Sequence, residues 1–141
     1  MSENAREHVV FVYGTLMRGL RNWGLMDGAR FLGEAVTADA TFRLVDLRER
    51  PFRCPGVLTG GDAAIRGELF AIDDAILTRL DALENIPTFY TRERAECVVL
   101  ESNATHTAYI YILADPIEIA RAVPVPSGDW RDIAATLKPG E

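Results

Sequence analysis

Two stretches of this chain carry residue types that do chemistry, and they lie far apart in sequence. The first is Asp73-Asp74-Ala75-Ile76-Leu77-Thr78-Arg79-Leu80-Asp81-Ala82-Leu83-Glu84, which ends in a carboxylate. Ile76, Leu77, Leu80 and Leu83 recur at helical spacing and make one apolar stripe, while Asp73 or Asp74 caps the start and suits the helix dipole. At about 100° per residue, Glu84 projects about 50° from the centre of that stripe, towards the core side. Asp81 lies nearer the edge and reaches water. A carboxylate on the buried side loses hydration, which raises its pKa and makes it a candidate proton carrier. The plainer reading is a helix-terminal glutamate that frays outward or pairs with Arg92.

The second stretch is an apolar strand, His8 to Tyr13, that runs into Gly14-Thr15-Leu16-Met17-Arg18-Gly19. Gly14 accepts backbone angles closed to other residues, Gly19 adds a second flexible point, and Thr15 contributes a hydroxyl. Such a turn aims successive N–H groups outward as a nest for an anion such as a carboxylate. A glycine after an aromatic-containing strand is also an ordinary way to end a strand.

The elements that must position these groups follow from the rest of the chain. Val9–Tyr13 is wholly apolar, as in a central strand buried on both faces. Arg21–Gly28 reads as a short helix ended by its glycine. Residues 30–37 and 41–47 read as two strands that turn near Ala38-Asp39. Arg48–Gly61, rich in Pro, Gly and Arg, reads as a long surface loop with a short strand near Val57. Ala63–Ile72 is a strand with Gly67 inside it, and Thr91–Leu100 and Thr105–Leu113 are two more, separated by Glu101-Ser102-Asn103-Ala104. The tail after Asp115-Pro116 is broken by prolines and wraps the body instead of forming long elements. Strands this numerous and helices this few predict a β-rich α+β protein, not a doubly wound sheet.

Composition narrows the function. The 141 residues are expected to form one domain spanning 1–141, with flexible ends at 1–7 and about 132–141. No apolar run reaches the roughly 20 residues of a membrane helix, and no signal-peptide pattern opens the chain, so a cytoplasmic protein without membrane attachment is expected. The net charge is −6 and the pI about 4.9. Arg43, Arg48, Arg50 and Arg53 are the one local concentration of positive charge and read as a solvated loop, so no nucleic-acid partner is expected. Cys54, Cys97, His8 and His106 are too few and too scattered for a disulfide framework or a metal site. A Cys54–His106 nucleophilic pair stays open beside the plainer reading of an incidental thiol and a surface histidine.

Taken together, Tyr13-Gly14-Thr15-Leu16-Met17-Arg18-Gly19 and the following Asn22 resemble the signature loop of the gamma-glutamylcyclotransferase-like family. The resemblance continues in order through Leu32-Gly33-Glu34-Ala35, Pro55-Gly56, Gly67-Glu68-Leu69-Phe70, Leu80 to Glu84, Pro87, Tyr90-Thr91-Arg92 and Ser127-Gly128-Asp129-Trp130-Arg131. It implies a small mixed β-barrel flanked by a few helices. It also implies an enzyme that releases 5-oxoproline from a small gamma-glutamyl substrate without metal or cofactor. By the same resemblance Tyr13, Gly14, Thr15, Leu16 and Asn22 belong to the substrate loop, whose amides hold the alpha-carboxylate. Glu84 is the acid–base residue and Tyr90 closes the pocket. Met17 stands where a lysine is frequent and Asn85 where a glycine is common. Thr15 in place of serine leans towards the gamma-glutamylamine cyclotransferase branch.

The implied chemistry suits these residues. The alpha-amine of a gamma-glutamyl amide reaches its own side-chain carbonyl, so the nucleophile is already tethered, a gain of about 7–11 kcal/mol over a bimolecular attack. One carboxylate of raised pKa can then act as base and afterwards as acid. Thr15 and Tyr90 are the candidate donors to the developing oxyanion. The alternative function is a sensor or carrier that binds a small carboxylate on the same fold without turnover. Trp130 either lines the pocket or pins the tail to the barrel.

Overall fold

A computed structural model describes residues 7–48, 50 and 53–138. Five strands close into a barrel in the order β1 (His8–Val12), β5 (Arg66–Ile72), β2 (Arg30–Thr37), β6 (Tyr90–Val99) and β7 (Thr105–Leu113). Every neighbouring pair is antiparallel except β1 with β7, which run parallel with Val10 opposite Tyr109. The small mixed barrel implied by the sequence is therefore the fold. A second sheet of three strands, β3 (Phe42–Asp46), β4 (Pro55–Thr59) and β8 (Val123–Pro124), runs in the order β4-β3-β8. The helices are α1 (Asp74–Leu83), α2 (Pro116–Arg121) and α3 (Trp130–Ala134).

Apolar runs explain the barrel. Val10, Phe11 and Val12 of β1 and Leu69, Phe70 and Ala71 of β5 are all buried, consistent with strands covered on both faces. Gly67 is demanded by packing: a Cβ there would lie 2.4 Å from the Val12 carbonyl oxygen and 2.7 Å from the Phe11 ring. The long β6–β7 hairpin pairs Tyr90 with Leu113 at one end and Val98 with Thr105 at the other. The alternation of polar and apolar residues in these strands reports that one face is wet.

Two sequence expectations need correction. Residues 30–37 and 42–46 are strands but not partners: β2 pairs with β5 and β6, while β3 pairs with β4 and β8. Period-2 patterning identifies strands and is silent about which sheet they enter. The helix expected over Arg21–Gly28 is a single 3-10 turn, Trp23–Met26, too short for α-helical hydrogen bonds to propagate. The short strand expected near Val57 within Arg48–Gly61 is β4, Pro55–Thr59; positions 49, 51 and 52 of that segment lie outside the described residues. The tail forms no long element, as expected, and carries three short ones, α2, β8 and α3. Trp130 opens α3 and is only 1% exposed. It pins the tail and does not line the cavity described below. Of the ends expected to be flexible, 1–6 and 139–141 lie outside the described residues, and 132–134 belong to α3.

Candidate active site

A cavity of about 630 Å³ opens between the carboxyl end of β1, the end of α1 and the start of β4. Glu84 reaches it because α1 ends there. Asp73 caps the helix start by accepting from the Ile76 N–H at 2.9 Å, and Ile76, Leu77 and Leu80 bury the apolar stripe. At the other end, the Asn85 N–H donates to the Ala82 carbonyl and the Ile86 N–H to the Asp81 carbonyl, a Schellman closure. Asn85 sits there at φ 52°, the left-handed angle that favours glycine and tolerates asparagine. The departure from glycine at this position thus keeps the required conformation, and Glu84 is the C-cap of a firmly closed helix.

Glu84 is partly buried and, among the described residues, has neither a hydrogen-bond nor an ion-pair partner. Arg92, the partner considered from sequence, instead lies 3.6 Å from Asp81, which also accepts a hydrogen bond from the Tyr111 hydroxyl at 2.8 Å. Loss of hydration, followed by repulsion from Asp81, pushes the Glu84 carboxyl up to about 7. It is therefore shared between its two protonation states near neutral pH.

The turn after β1 lines the same cavity as Glu84. The Met17 N–H closes it onto the Gly14 carbonyl, and the Asn22 N–H donates to the Thr15 carbonyl at 2.8 Å. The N–H groups of Gly14, Thr15 and Leu16 make no hydrogen bond to any described residue. Asn22 also donates from Nδ2 to Thr15 Oγ1 at 2.8 Å, which leaves the Thr15 hydroxyl proton available to another acceptor. Gly14 is needed for close approach and not for its angles: a Cβ would stand 2.5 Å from Pro55 Cγ, and its φ is not positive. Gly19 does have positive φ, 80°.

The far end of the turn is locked by Glu68, which is 1% exposed in the middle of β5. Its carboxylate accepts from the Arg18 N–H at 2.8 Å, Arg18 Nε at 3.1 Å and the Arg131 guanidinium at 3.0 Å. Arg131 also donates to the Arg18 carbonyl. One buried acid thus joins barrel, turn and tail.

Three buried tyrosines frame the cavity, and all three phenols are raised chiefly by burial. The Tyr13 hydroxyl donates to the Tyr111 carbonyl at 2.7 Å, and the Tyr90 hydroxyl donates to the Pro55 carbonyl at 2.7 Å. Tyr90 lines the cavity as expected, but its proton is already engaged, so Thr15 is the better-placed hydroxyl of the two candidate donors. Cys54 lines the cavity too; burial first of all raises its thiol to about 11, which keeps it protonated. His106 lies opposite Cys97 at the remote end of the β6–β7 hairpin, so the Cys54–His106 pair does not form. Among the described residues no three His, Cys, Asp or Glu side chains gather as metal ligands would.

The sequence reading missed Arg50 and Arg53, which also line the cavity. The available signal was Asp46, a carboxylate inside the apolar run Leu44-Val45-Asp46-Leu47, where burial demands a cationic partner.

Barrel, turn and buried glutamate belong to a recognised class. The profile of the family described as "Gamma-glutamyl cyclotransferase, AIG2-like" matches residues 10–132. The chain belongs to this family, and that membership supports a gamma-glutamylcyclotransferase activity in general terms. A Vibrio cholerae protein provisionally named a gamma-glutamylcyclotransferase is 32% identical over 124 residues, covering 88% of this chain and 96% of its own. The gamma-glutamylaminecyclotransferase of Mus musculus is 34% identical over 97 residues, 65% of this chain and 64% of its own. The crystal structure of an AIG2-like protein from Mus musculus superposes with a TM-score of 0.69 at 26% identity, covering 81% of this chain and 83% of that one. Among the described residues no helix is long and apolar enough to cross a membrane.

Proposed function

We propose that this chain releases 5-oxoproline from a gamma-glutamyl amine or peptide, with Glu84 as base and then acid. The observation that carries this reading is a carboxylate of pKa about 7, without a described partner, sharing one cavity with three unengaged amides. The amides of Gly14, Thr15 and Leu16 receive the alpha-carboxylate of the substrate, with Tyr13 and Asn22 holding the turn in shape. Ionised Glu84 takes a proton from the alpha-ammonium. The freed amine attacks the gamma-carbonyl, the new C–N bond closes the five-membered ring, and negative charge develops on the carbonyl oxygen, where Thr15 Oγ1–H donates. Glu84 passes its proton to the departing nitrogen, and the old C–N bond breaks. The carboxylate then takes the second proton from the ring nitrogen and passes it to the released amine, so that the alpha-nitrogen loses two protons, the departing nitrogen gains two, and Glu84 ends as it began. A pKa near 7 suits both halves of this exchange. Tyr90, tied to Pro55, closes the apolar side.

The test is 5-oxoproline release from a panel of gamma-glutamyl dipeptides and alkylamides, with wild type beside Glu84→Gln. Turnover that disappears in the variant while binding persists supports the reading. Binding without turnover in the wild type points to a carrier, and equal activity in both proteins removes Glu84 from the mechanism.

A further inference from the structure

Glu84 has no bonded partner among the described residues, yet the acid three positions before it has two. Asp81 and Glu84 are neighbours on one flank of α1. Asp81 Oδ1 accepts from the Tyr111 hydroxyl at 2.8 Å, and Arg92 Nη2 lies 3.6 Å from Asp81 Oδ2. Both partners come from the β6–β7 hairpin, where Arg92 and Tyr111 stand directly opposite each other. The hairpin also supplies a platform: the Arg92 guanidinium lies over the Tyr109 ring, 4.4 Å from its centroid. Asp81, Arg92 and Tyr109 do not line the cavity that holds Glu84; Tyr111 does.

Arg92 is held there at a cost. Its Nη1 is buried and makes no hydrogen bond to any described residue, although water is close, since 27% of the side chain is exposed. A guanidinium that leaves one nitrogen unpaired to stay between Asp81 and Tyr109 marks a contact the fold keeps in place. The groups around Glu84 show what that contact does. The phenols of Tyr13, Tyr90 and Tyr111, from β1, β6 and β7, and the Cys54 thiol before β4 are raised by burial and uncharged near neutral pH. Arg21, Arg50 and Arg53 also line the cavity; Arg53 is bonded to Asp46, and Arg50 lies 3.7 Å from Glu118. Asp81, on the same helix, is the anion that bears on Glu84, and Asp81 is faced by Arg92 and Tyr111.

We propose that Arg92 is a positioning residue of the proposed reaction: placed over Tyr109, it fixes the Asp81 carboxylate beside Glu84 and offsets part of its charge, so that Glu84 takes up and releases a proton without a bonded partner of its own. This rests on the role proposed for Glu84 and gives work to a residue outside the cavity. A guanidinium bonded to Glu84 itself would hold the ionised form and spoil the second half of the exchange. Moved back onto Asp81, the same cation limits repulsion and leaves the proton site open.

Two readouts test it: an NMR titration of the Glu84 carboxyl, which needs no turnover, and the acidic limb of the kcat/KM–pH profile. Arg92→Met should move both to higher pH by roughly half a pH unit, the order expected of one partly screened charge. Arg92→Lys, which keeps the cation but loses the planar fork, should recover part of the shift. Tyr109→Leu removes the platform and no charge, and should move both in the same direction by less; it also carries the test where Arg92→Met does not fold. In an Asp81→Asn background neither Arg92→Met nor Tyr109→Leu should add an appreciable shift, since no carboxylate is left to hold. An unmoved titration in folded Arg92→Met and Tyr109→Leu, a move to lower pH, or the same shift with and without Asp81 overturns the inference. Turnover that depends on Glu84 with an unmoved titration sinks this inference and leaves the proposed reaction standing. The expected shifts in a protein that releases no 5-oxoproline support the Arg92–Asp81 placement and remove the reaction.

Discussion

Glu68 and Glu84 are both carboxylates removed from bulk water, and they are opposites. Glu68 accepts three hydrogen bonds from two arginines and a backbone amide. Glu84 has no such partner among the described residues, and its pKa is pushed to about 7. The first is compensated and therefore architectural. The second keeps an unresolved electrostatic cost, which is what a residue that must take up and release a proton requires. The contrast teaches that burial alone does not single out the proposed proton carrier; burial without a partner does.

The strongest way to break this comparison is Glu84→Gln. We expect a loss of about 10²–10⁴-fold in kcat, the range for a general acid–base group, with the fold intact. The same variant should alter stability in a pH-dependent way. The folded state holds the Glu84 proton up to about 7, against 4.5 for an unperturbed carboxyl. The stability tied to that proton is fully present below the unfolded value and lost as pH rises through about 7. Glu84→Gln should therefore melt higher than wild type at pH 8, on the order of 2 kcal/mol more stable, and match it near pH 4. A variant less stable at pH 8 would mean that the carboxylate has a stabilising partner.

Next comes Glu68→Gln, expected to cost about 2–3 kcal/mol in chemical denaturation. This lies below the range for a fully buried pair because both guanidiniums keep contact with water. KM should rise as the turn loosens, with a smaller change in kcat. Loss of kcat with KM and stability unchanged would reverse the roles assigned to the two acids. Asn22→Ala removes one hydrogen bond to Thr15 and should raise KM several-fold, in keeping with about 1 kcal/mol; steady-state kinetics on any turned-over substrate checks it. The smallest effect sharpens the comparison from the other side. Asp81→Asn removes the charge that helps raise Glu84, so the acidic limb of the kcat/KM–pH profile should move to lower pH. An upward move would show that Asp81 acts on Glu84 by another route.

Much of this was legible in the sequence, for physical reasons. The α1 stripe fixed where Glu84 faces, because helical periodicity is a property of the local chain. The turn Gly14–Gly19 was legible as a run of amides with few side-chain competitors. What escaped reading was contact between segments distant in sequence. Nothing local says that β3 leaves β2 for another sheet, or that Arg131 reaches back to Glu68. The role of Gly14 was also misplaced: its freedom of angle was expected, whereas the crowding by Pro55 that actually requires glycine comes from a strand 41 positions later. Asn85 marks the opposite case, where a departure from the family residue made sense once its φ of 52° was known.

The latch at Glu68 has a consequence for the order of synthesis. The turn at residues 14–19 leaves the ribosome well before Arg131, which donates to the Arg18 carbonyl and lies 113 residues behind it. Glu68 emerges between them and lacks the Arg131 guanidinium, one of its three donors, until then. A nascent chain can therefore display the turn long before it can fix its shape, and the proposed anion site waits on a residue made long after it.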